Sequence, residues 1–295
     1  MELVFLGTAQ AIPTERRNHT AMLLTYEDEN MLVDCGEGTQ RQFRKAHINP
    51  CKLTKLLITH WHGDHILGIP GLLQTLALNN YNRTLDVYGP RGTKRNMEIM
   101  LDMFVFAGKI KVNVHEIGKG KFYENKFILE AFPVRHSAAC LAYVFKEKDK
   151  IRIEKDKIKK LKLKGHVIGE LQKGKDIIFN GKKIKSKDVS YMQKGKKISF
   201  IMDTALCGEC YDAAKDSDLL VCEATYNDEL EDKAKEYSHL TSSQSALIAK
   251  KSKSKQLILT HISQRFDANP EIILKEAKKV FKNTLMAEDL MKFEI

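Results

Sequence analysis

Short apolar runs recur along the chain, each closed by a turn residue or a titratable side chain. The stretches ELVFL (2–6), AMLLTY (21–26), NMLVDC (30–35) and KLTKLLIT (52–59) read as strands. TLDVYG (84–89), KVNVHEI (111–117), FILEAFPV (127–134) and CLAYVFK (140–146) continue the series. Between them, apolar positions fall at helical spacing over 39–47, over 68–79, where Pro70 sits near the start, and over 91–106. Beyond residue 197 the strand pattern returns in ISFIMD (198–203), DLLVCEAT (218–225) and KQLILTH (255–261). Helical patterns surround 207–215, 241–252 and 271–282, with Thr241 or Ser242 placed to cap the second. Strands and helices alternate throughout, which predicts α/β layering within one large domain over residues 1–295.

One segment departs from this pattern. Residues 150–165, KIRIEKDKIKKLKLKG, are amphipathic, and residues 174–197 alternate in polarity and turn on Gly181. Residues 146–197 carry 19 Lys and Arg against 7 Asp and Glu, a balance of +12. The rest of the chain holds 30 basic and 31 acidic residues, so the net charge of +11 resides in this insert. Such a basic arm fits a polyanionic partner, and equally a solvated, solubilising element.

Composition narrows the class further. Apolar residues make up 43% of the 295, enough for a sizeable core. No run approaches the roughly 20 apolar residues of a membrane helix. The opening MELVFLGTAQ lacks a basic region before its apolar run, so no signal peptide and a cytoplasmic location are expected. Six scattered cysteines fit free thiols in a reducing compartment. Cys207 and Cys210 have CxxC spacing without a second pair, which reads as two free thiols at a helix start.

The candidate chemistry gathers at strand ends. THWHGDH (59–65) follows the apolar KLLI. His60 and His62 share a face in extended backbone, with Asp64 and His65 a turn further on and Gly63 expected to permit a tight turn. Nitrogen and oxygen donors of this kind suit zinc and its first-row neighbours. One loop cannot complete two metal shells. His136 after AFPVR, Asp203 at the end of ISFIMD and His261 at the end of QLILTH could complete them, one carboxylate bridging two ions. Asp34 is placed to accept from a ligand imidazole, and Arg265 in HISQRF to grip a phosphate, with a turn cap or plain salt bridge as the alternative for each. His19, His47, His115 and His166 lie in loop-like or polar surroundings and receive no metal.

THWHGDH matches the HxHxDH signature of the metallo-β-lactamase superfamily. FLGTAQAIPTERRN, VDCGEGTQRQ, HGDHILGIPGLL, VYGP, DTALCGECYDAAKDSDLLVCEATY, SHLTSSQSALIA and LTHISQRF together resemble ribonuclease Z, the endonuclease that trims the 3′ trailer from precursor tRNA. The resemblance spans essentially the whole chain. It implies a four-layer αββα sandwich with an inserted flexible arm, in the short, homodimeric form. It implies that His60, His62 and His136 hold one zinc, that Asp64, His65 and His261 hold a second, and that Asp203 bridges. Mn²⁺ or Fe²⁺ would suit the same donors. It further implies that Asp64 orients or deprotonates the attacking water, and that His239, oriented by Glu223, is the general acid.

In ribonuclease Z an arm at this position clamps the tRNA elbow. By resemblance, Lys159, Lys160, Lys162 and Lys164 would contact phosphates here. This arm has Gly165, Gly169 and Gly174 but no proline between Lys164 and Ile177, so its shape is expected to differ from the usual one. The competing reading is a two-metal hydrolase of a small phosphodiester or ester.

Overall fold

The computed structural model describes residues 1–105 and 110–295. The chain divides into two compact units. The larger comprises Met1–Glu124, Leu129–Phe145 and Lys197–Ile295; the smaller comprises Asn125–Ile128 and Lys146–Lys196.

Among the described residues the strands run, in chain order, as follows. The first half contributes β1 (Glu2–Gly7), β2 (Ala21–Tyr26), β3 (Glu29–Val33), β4 (Lys55–Leu57), β5 (Thr84–Gly89), β6 (Lys111–Glu116), β7 (Gly120–Glu124), β8 (Phe127–Val134) and β9 (Cys140–Glu147). The second contributes β10 (Lys150–Ile153), β11 (Ile177–Phe179), β12 (Lys182–Ile184), β13 (Ser190–Gln193), β14 (Lys197–Ile201), β15 (Leu219–Glu223), β16 (Leu257–Thr260), β17 (Thr284–Met286) and β18 (Lys292–Glu294).

Two seven-stranded sheets form, in the orders β18-β1-β2-β3-β4-β5-β6 and β17-β16-β15-β14-β9-β8-β7. Strands β3 to β6 run parallel to one another, as do β14 to β17, whereas β3 pairs antiparallel with β2. In β1, Val4 and Leu6 pack with Phe43 of helix Thr39–Lys45 and with Leu72, Leu73 and Leu76 of helix Ile69–Leu78. The alternate residues Leu3 and Phe5 are also fully buried, so the strand is covered on both faces. The second sheet repeats the arrangement. Ile201, Leu220, Cys222 and Leu259 face helices Gly208–Ala214, Ser242–Lys251 and Glu271–Val280, while Phe200, Val221 and Ile258 are buried on the other side. Contacts join the inner faces: Tyr26 meets Phe145 edge-on at 5.2 Å, and the Tyr143 hydroxyl donates to the Ile58 carbonyl at 2.7 Å. The larger unit is thus the expected helix–sheet–sheet–helix sandwich.

Several boundaries differ from the sequence expectation. The predicted strand 52–59 pairs only over Lys55–Leu57, and the next residues leave the sheet as an extended segment that carries His60 and His62 outward. The expected helix 91–106 runs Thr93–Met103; Phe106 lies outside the described residues. Thr241 caps the helix Ser242–Lys251 in a reciprocal capping box with Gln244.

The smaller unit holds two antiparallel pairs. Strand β10 pairs β13 from Lys150↔Gln193 to Ile153↔Ser190. Strands β11 and β12 form a hairpin across Asn180 and Gly181, whose φ values of 50° and 74° suit a two-residue turn. Ile158, Leu163, Leu171 and Val189 make its small core. Lys159, Lys160, Lys162 and Lys164 are exposed and, among the described residues, form no ion pair.

Candidate metal centre

The candidate site residues sit at or just past strand ends. Asp34 follows β3, His60 and His62 follow β4, and the one-turn helix Gly63–Ile66 presents Asp64 and His65. His136 lies beyond β8, Asp203 beyond β14, His261 directly after β16, and Glu223 closes β15. In sheets with parallel strands this carboxyl edge is where ligand sites collect. Asp34 and His261 each adopt φ 58°, in the left-handed region that few non-glycine residues enter. That conformation turns the chain sharply off each strand, at a backbone cost of about 1–3 kcal/mol that the surrounding packing must hold.

Seven side chains converge in two groups that share Asp203. In the first, His60 Nε2 lies 2.9 Å from His62 Nδ1, and His62 Nδ1 lies 3.2 Å from His136 Nε2. Asp203 Oδ2 is 3.7 Å from His60 Nε2 and 3.8 Å from His136 Nε2. In the second group, His65 Nε2 is 3.3 Å from both Asp64 Oδ2 and His261 Nε2, and 3.4 Å from Asp203 Oδ1. His261 Nε2 is 3.4 Å from Asp64 Oδ2 and 3.1 Å from Asp203 Oδ1. Donors held 2.0–2.2 Å from a tetrahedral ion sit about 3.3–3.6 Å apart.

The outward nitrogens fix the tautomers. His136 Nδ1 meets the Ser238 carbonyl at 3.0 Å, and a carbonyl only accepts, so Nδ1 carries the proton and Nε2 presents a lone pair. His65 Nδ1 donates to Asp34 Oδ2 at 2.7 Å. Asp34 also accepts from the Thr59 amide at 2.7 Å and from the Thr59 hydroxyl at 2.8 Å. The Thr59 hydroxyl, its own proton so committed, accepts from His60 Nδ1 at 3.1 Å. His261 Nδ1 likewise meets the Thr225 hydroxyl at 3.0 Å, which donates to Glu223 Oε2 at 2.6 Å. When neutral, these four imidazoles therefore face one another and the carboxylates with lone pairs. Such a cluster is repulsive unless positive charge sits within it.

Among the described residues the fully buried Asp203 Oδ1 has no hydrogen-bond partner, which is costly for a carboxylate oxygen. Electrostatics report the same demand for positive charge. Burial alone would lower the His65 imidazole, but Asp203, Asp34 and Asp64 hold it well above its ordinary value. His60, buried and beside His65, is held well below. Burial opposes ionisation of Asp203 and Asp64, yet the surrounding imidazoles keep both carboxyls far below the usual carboxylate range. The residues therefore fit a pair of divalent cations, one in each group of four donors.

Beside the cluster, His239 Nδ1 lies 3.1 Å and 3.2 Å from the two Glu223 oxygens and 3.9 Å from Asp203 Oδ2. Burial acts to lower this imidazole, but Glu223 and Asp203 raise it to about 9. Glu223 is itself pinned, Oε1 accepting the Thr204 amide at 2.7 Å. A cavity of about 320 Å³ opens on the cluster, lined by His62, Asp64, His136, Asp203 and His239, and by Arg265, Lys233, Tyr226 and Tyr237. Arg265 is exposed and, among the described residues, makes one long bond, 3.4 Å, to the Ser263 hydroxyl. Lys159, Lys160, Lys162 and Lys164 belong to the smaller unit and are not among these residues.

Three features differ from the sequence reading. Gly63 takes helical backbone, and a Cβ there would meet only Leu67, 3.1 Å away. The tight packing belongs instead to Gly36, where a Cβ would overlap the Asp64 carbonyl oxygen and the His19 Cβ, and to Gly68, where it would overlap the Gly36 carbonyl oxygen. His19, expected in polar surroundings, is buried. Sequence reasoning also missed Thr59, Thr225, the Ser238 carbonyl and the Ala11 amide, which donates to Asp64 Oδ2 at 2.9 Å.

Sandwich and donor set together define a hydrolase of the metallo-β-lactamase class. The family model described as "Anti-Pycsar protein Apyc1" matches residues 1–108. A protein of Methanothermobacter thermautotrophicus named Ribonuclease Z is 40% identical, over 100% of this chain and 97% of its own. The crystal structure of the human short form of tRNase Z superposes with a TM-score of 0.74 at 27% identity, covering 100% of this chain and 99% of that one. YhfI, a metallo-β-lactamase-fold protein of Bacillus subtilis, shares the fold with a TM-score of 0.71 at 17% identity, over 100% and 99% of the two chains. The chain belongs to the ribonuclease Z family.

Proposed function

We propose that the chain is a zinc-dependent endoribonuclease that removes the 3′ trailer from precursor tRNA and leaves a 3′-hydroxyl on the tRNA. The observation that carries this reading is the pair of four-donor groups sharing Asp203, with His239 beside them, in a chain of this family. His60, His62 and His136 would hold one ion, Asp64, His65 and His261 the other, with Asp203 between. Nitrogen and oxygen donors at this spacing favour zinc, two per subunit, and would also accept Mn²⁺ or Fe²⁺. When bound, such a pair supplies Lewis-acid stabilisation of the charge on the scissile phosphate.

The chain's own groups do the rest. Asp64, strongly acidic and fixed by the Ala11 amide, orients the attacking water more readily than it deprotonates it. His239, protonated at neutral pH, gives its proton to the leaving oxygen, and Glu223 holds the ring for that transfer. Arg265 and Lys233 on the cavity wall suit flanking phosphates.

The basic arm, residues 146–197, is read as the tRNA-binding exosite. Its support is the run of exposed Lys159, Lys160, Lys162 and Lys164, unpaired among the described residues, which suits phosphate contacts that position without reading sequence. A homodimer and a cytoplasmic location complete the proposal. An apolar groove lined by Leu67, Pro70, Ile99 and Met103 favours the first. Among the described residues no helix is long and apolar enough to cross a membrane, which is compatible with the second.

The test is metal analysis of the purified protein alongside cleavage of one 3′-extended precursor tRNA, with product ends mapped. Ends at the discriminator nucleotide support the reading. The cavity alone would also admit a small phosphodiester. Deleting residues 150–170 separates the two: tRNA cleavage should fall while a small chromogenic phosphodiester is still hydrolysed. Equal loss of both activities, or of neither, would favour the small-substrate hydrolase.

A further inference from the structure

Cys207 and Cys210 stand outside the chemistry assigned so far. Their sulfurs lie 3.4 Å apart, Cys207 half-buried and Cys210 fully buried. The Thr204 hydroxyl is 3.9 Å from each sulfur. Thr204 is also the knot between two ligand segments. Its amide donates to Glu223, and its hydroxyl accepts the Arg135 amide at 3.1 Å. The neighbouring Ala205 amide donates back to the Arg135 carbonyl at 2.7 Å. Asp203 precedes this knot on one strand of chain, and His136 follows it on the other.

We propose that Cys207 and Cys210 are a redox-active dithiol that hydrogen peroxide converts to an intramolecular disulfide, and that closing this bond loosens the segments carrying Asp203 and His136. The sulfurs need move only from 3.4 Å to about 2 Å to bond, a shift made beside the Thr204 hydroxyl, which lies 3.9 Å from each.

The two thiols are suited to different roles. The Cys210 thiol, the Cys210 and Arg135 amides and the Thr204 hydroxyl stabilise a Cys207 thiolate against the cost of burial and bring it down to about 6. Cys210 is pushed far up by the Cys207 sulfur and by burial, so it stays protonated. Cys207 is then the attacking sulfur. Its thiolate displaces hydroxide from the peroxide as the O–O bond breaks, giving a sulfenic acid. The Cys210 sulfur attacks the sulfenic sulfur, and the S–O bond breaks as water leaves with the Cys210 proton. Two thiols lose two electrons and two protons, and one hydrogen peroxide becomes two waters.

The test uses the full-length, metal-loaded protein. Iodoacetamide at pH 7 should label Cys207 about ten-fold faster than the half-exposed Cys51, whose thiol burial raises. Brief exposure to hydrogen peroxide should remove two hydrogens from the intact mass and link the two cysteines in a non-reducing peptide map. Cys207→Ser and Cys210→Ala should block the link. A chromophoric zinc chelator should then strip metal about ten-fold faster from the oxidised protein than from the reduced protein or from peroxide-treated Cys207→Ser, and dithiothreitol should reverse the difference. Labelling of Cys207 no faster than Cys51, or a peroxide-treated pair that remains unlinked, overturns the dithiol. Linked cysteines with unchanged chelation overturn the coupling. That last comparison rests on the proposed metal centre, whereas the peptide map does not, so failure of either idea is visible separately.

Discussion

Asp34 Oδ2 accepts the Nδ1 proton of His65 at 2.7 Å, with both side chains fully buried. The contact fixes the imidazole so that Nε2 faces Asp64, Asp203 and His261, and it raises the basicity of that nitrogen. Replacing Asp34 with alanine should weaken metal affinity about 10–100-fold while leaving the fold intact. Chelator competition against circular dichroism separates the two effects. Unchanged metal affinity would show that the orientation of His65 comes from packing alone.

Asp203 is the one side chain common to both groups of donors. Asp203→Ala should lower cleavage by more than about 100-fold, beyond the effect of losing an outer partner. Affinity for precursor tRNA should hold within a few-fold, because the lysines proposed to contact its phosphates are untouched. Loss of the folded state would instead assign the metals a structural role.

The convergence of the seven side chains was legible because apolar runs marked the strands and each candidate closed one. His60 and His62 share a side in extended backbone, and Asp64 and His65 follow on one helical turn, so their separation in sequence encodes their placement. The partners of these groups were not legible. Thr59, Thr225 and the Ser238 carbonyl are ordinary residues whose value lies in where the fold puts their oxygens. The Ala11 amide carries no side-chain signal at all, and its φ of 35° is visible only in the folded chain. The edge strands β7, β17 and β18 were missed for a related reason. GKFYE, TLM and KFE are short, and pairing with a neighbour decides their conformation. In the basic insert, the hairpin turning on Gly181 was readable from Asn-Gly between alternating residues, whereas the pairing of β10 with β13 across some 40 residues was not.

Gly36 packs its α-carbon against the Asp64 carbonyl and His19. Gly36→Ala should therefore destabilise the protein by about 1–3 kcal/mol through overpacking, seen as a lowered melting temperature. Gly63→Ala, where only the flexible Leu67 tip is near, should cost much less. Equal effects would contradict the placement of the close approach.

His239 should titrate near 9 in the metal-free protein, followed by its imidazole proton resonances. The sign follows from its neighbours. Glu223 and Asp203 favour the charged ring, so the proton stays on through neutrality and leaves only as the pH rises toward 9. In Glu223→Gln the raising carboxylate is gone and burial gains weight, so the midpoint should fall toward the ordinary imidazole value. Cleavage by that variant should drop by about 100-fold, as expected of a mispositioned general acid. A midpoint indifferent to Glu223 would remove the pair from the reaction.

The arm lysines make a prediction that catalysis cannot imitate. Each phosphate contact contributes a slope of roughly 0.7–0.9 to the fall of log affinity with log salt. Replacing Lys159, Lys160, Lys162 and Lys164 with alanine should lower the slope for precursor tRNA by about 3, if all four contact phosphates. All four are exposed and, among the described residues, unpaired, so their loss should scarcely alter stability. Turnover of a small phosphodiester should be unchanged, because the cavity at the donor cluster is lined by residues of the larger unit. Binding isotherms at several salt concentrations give the slope directly. A quadruple variant with the parent's slope would remove these lysines from the tRNA interface, and the +12 balance of residues 146–197 would then act only as a solvated surface.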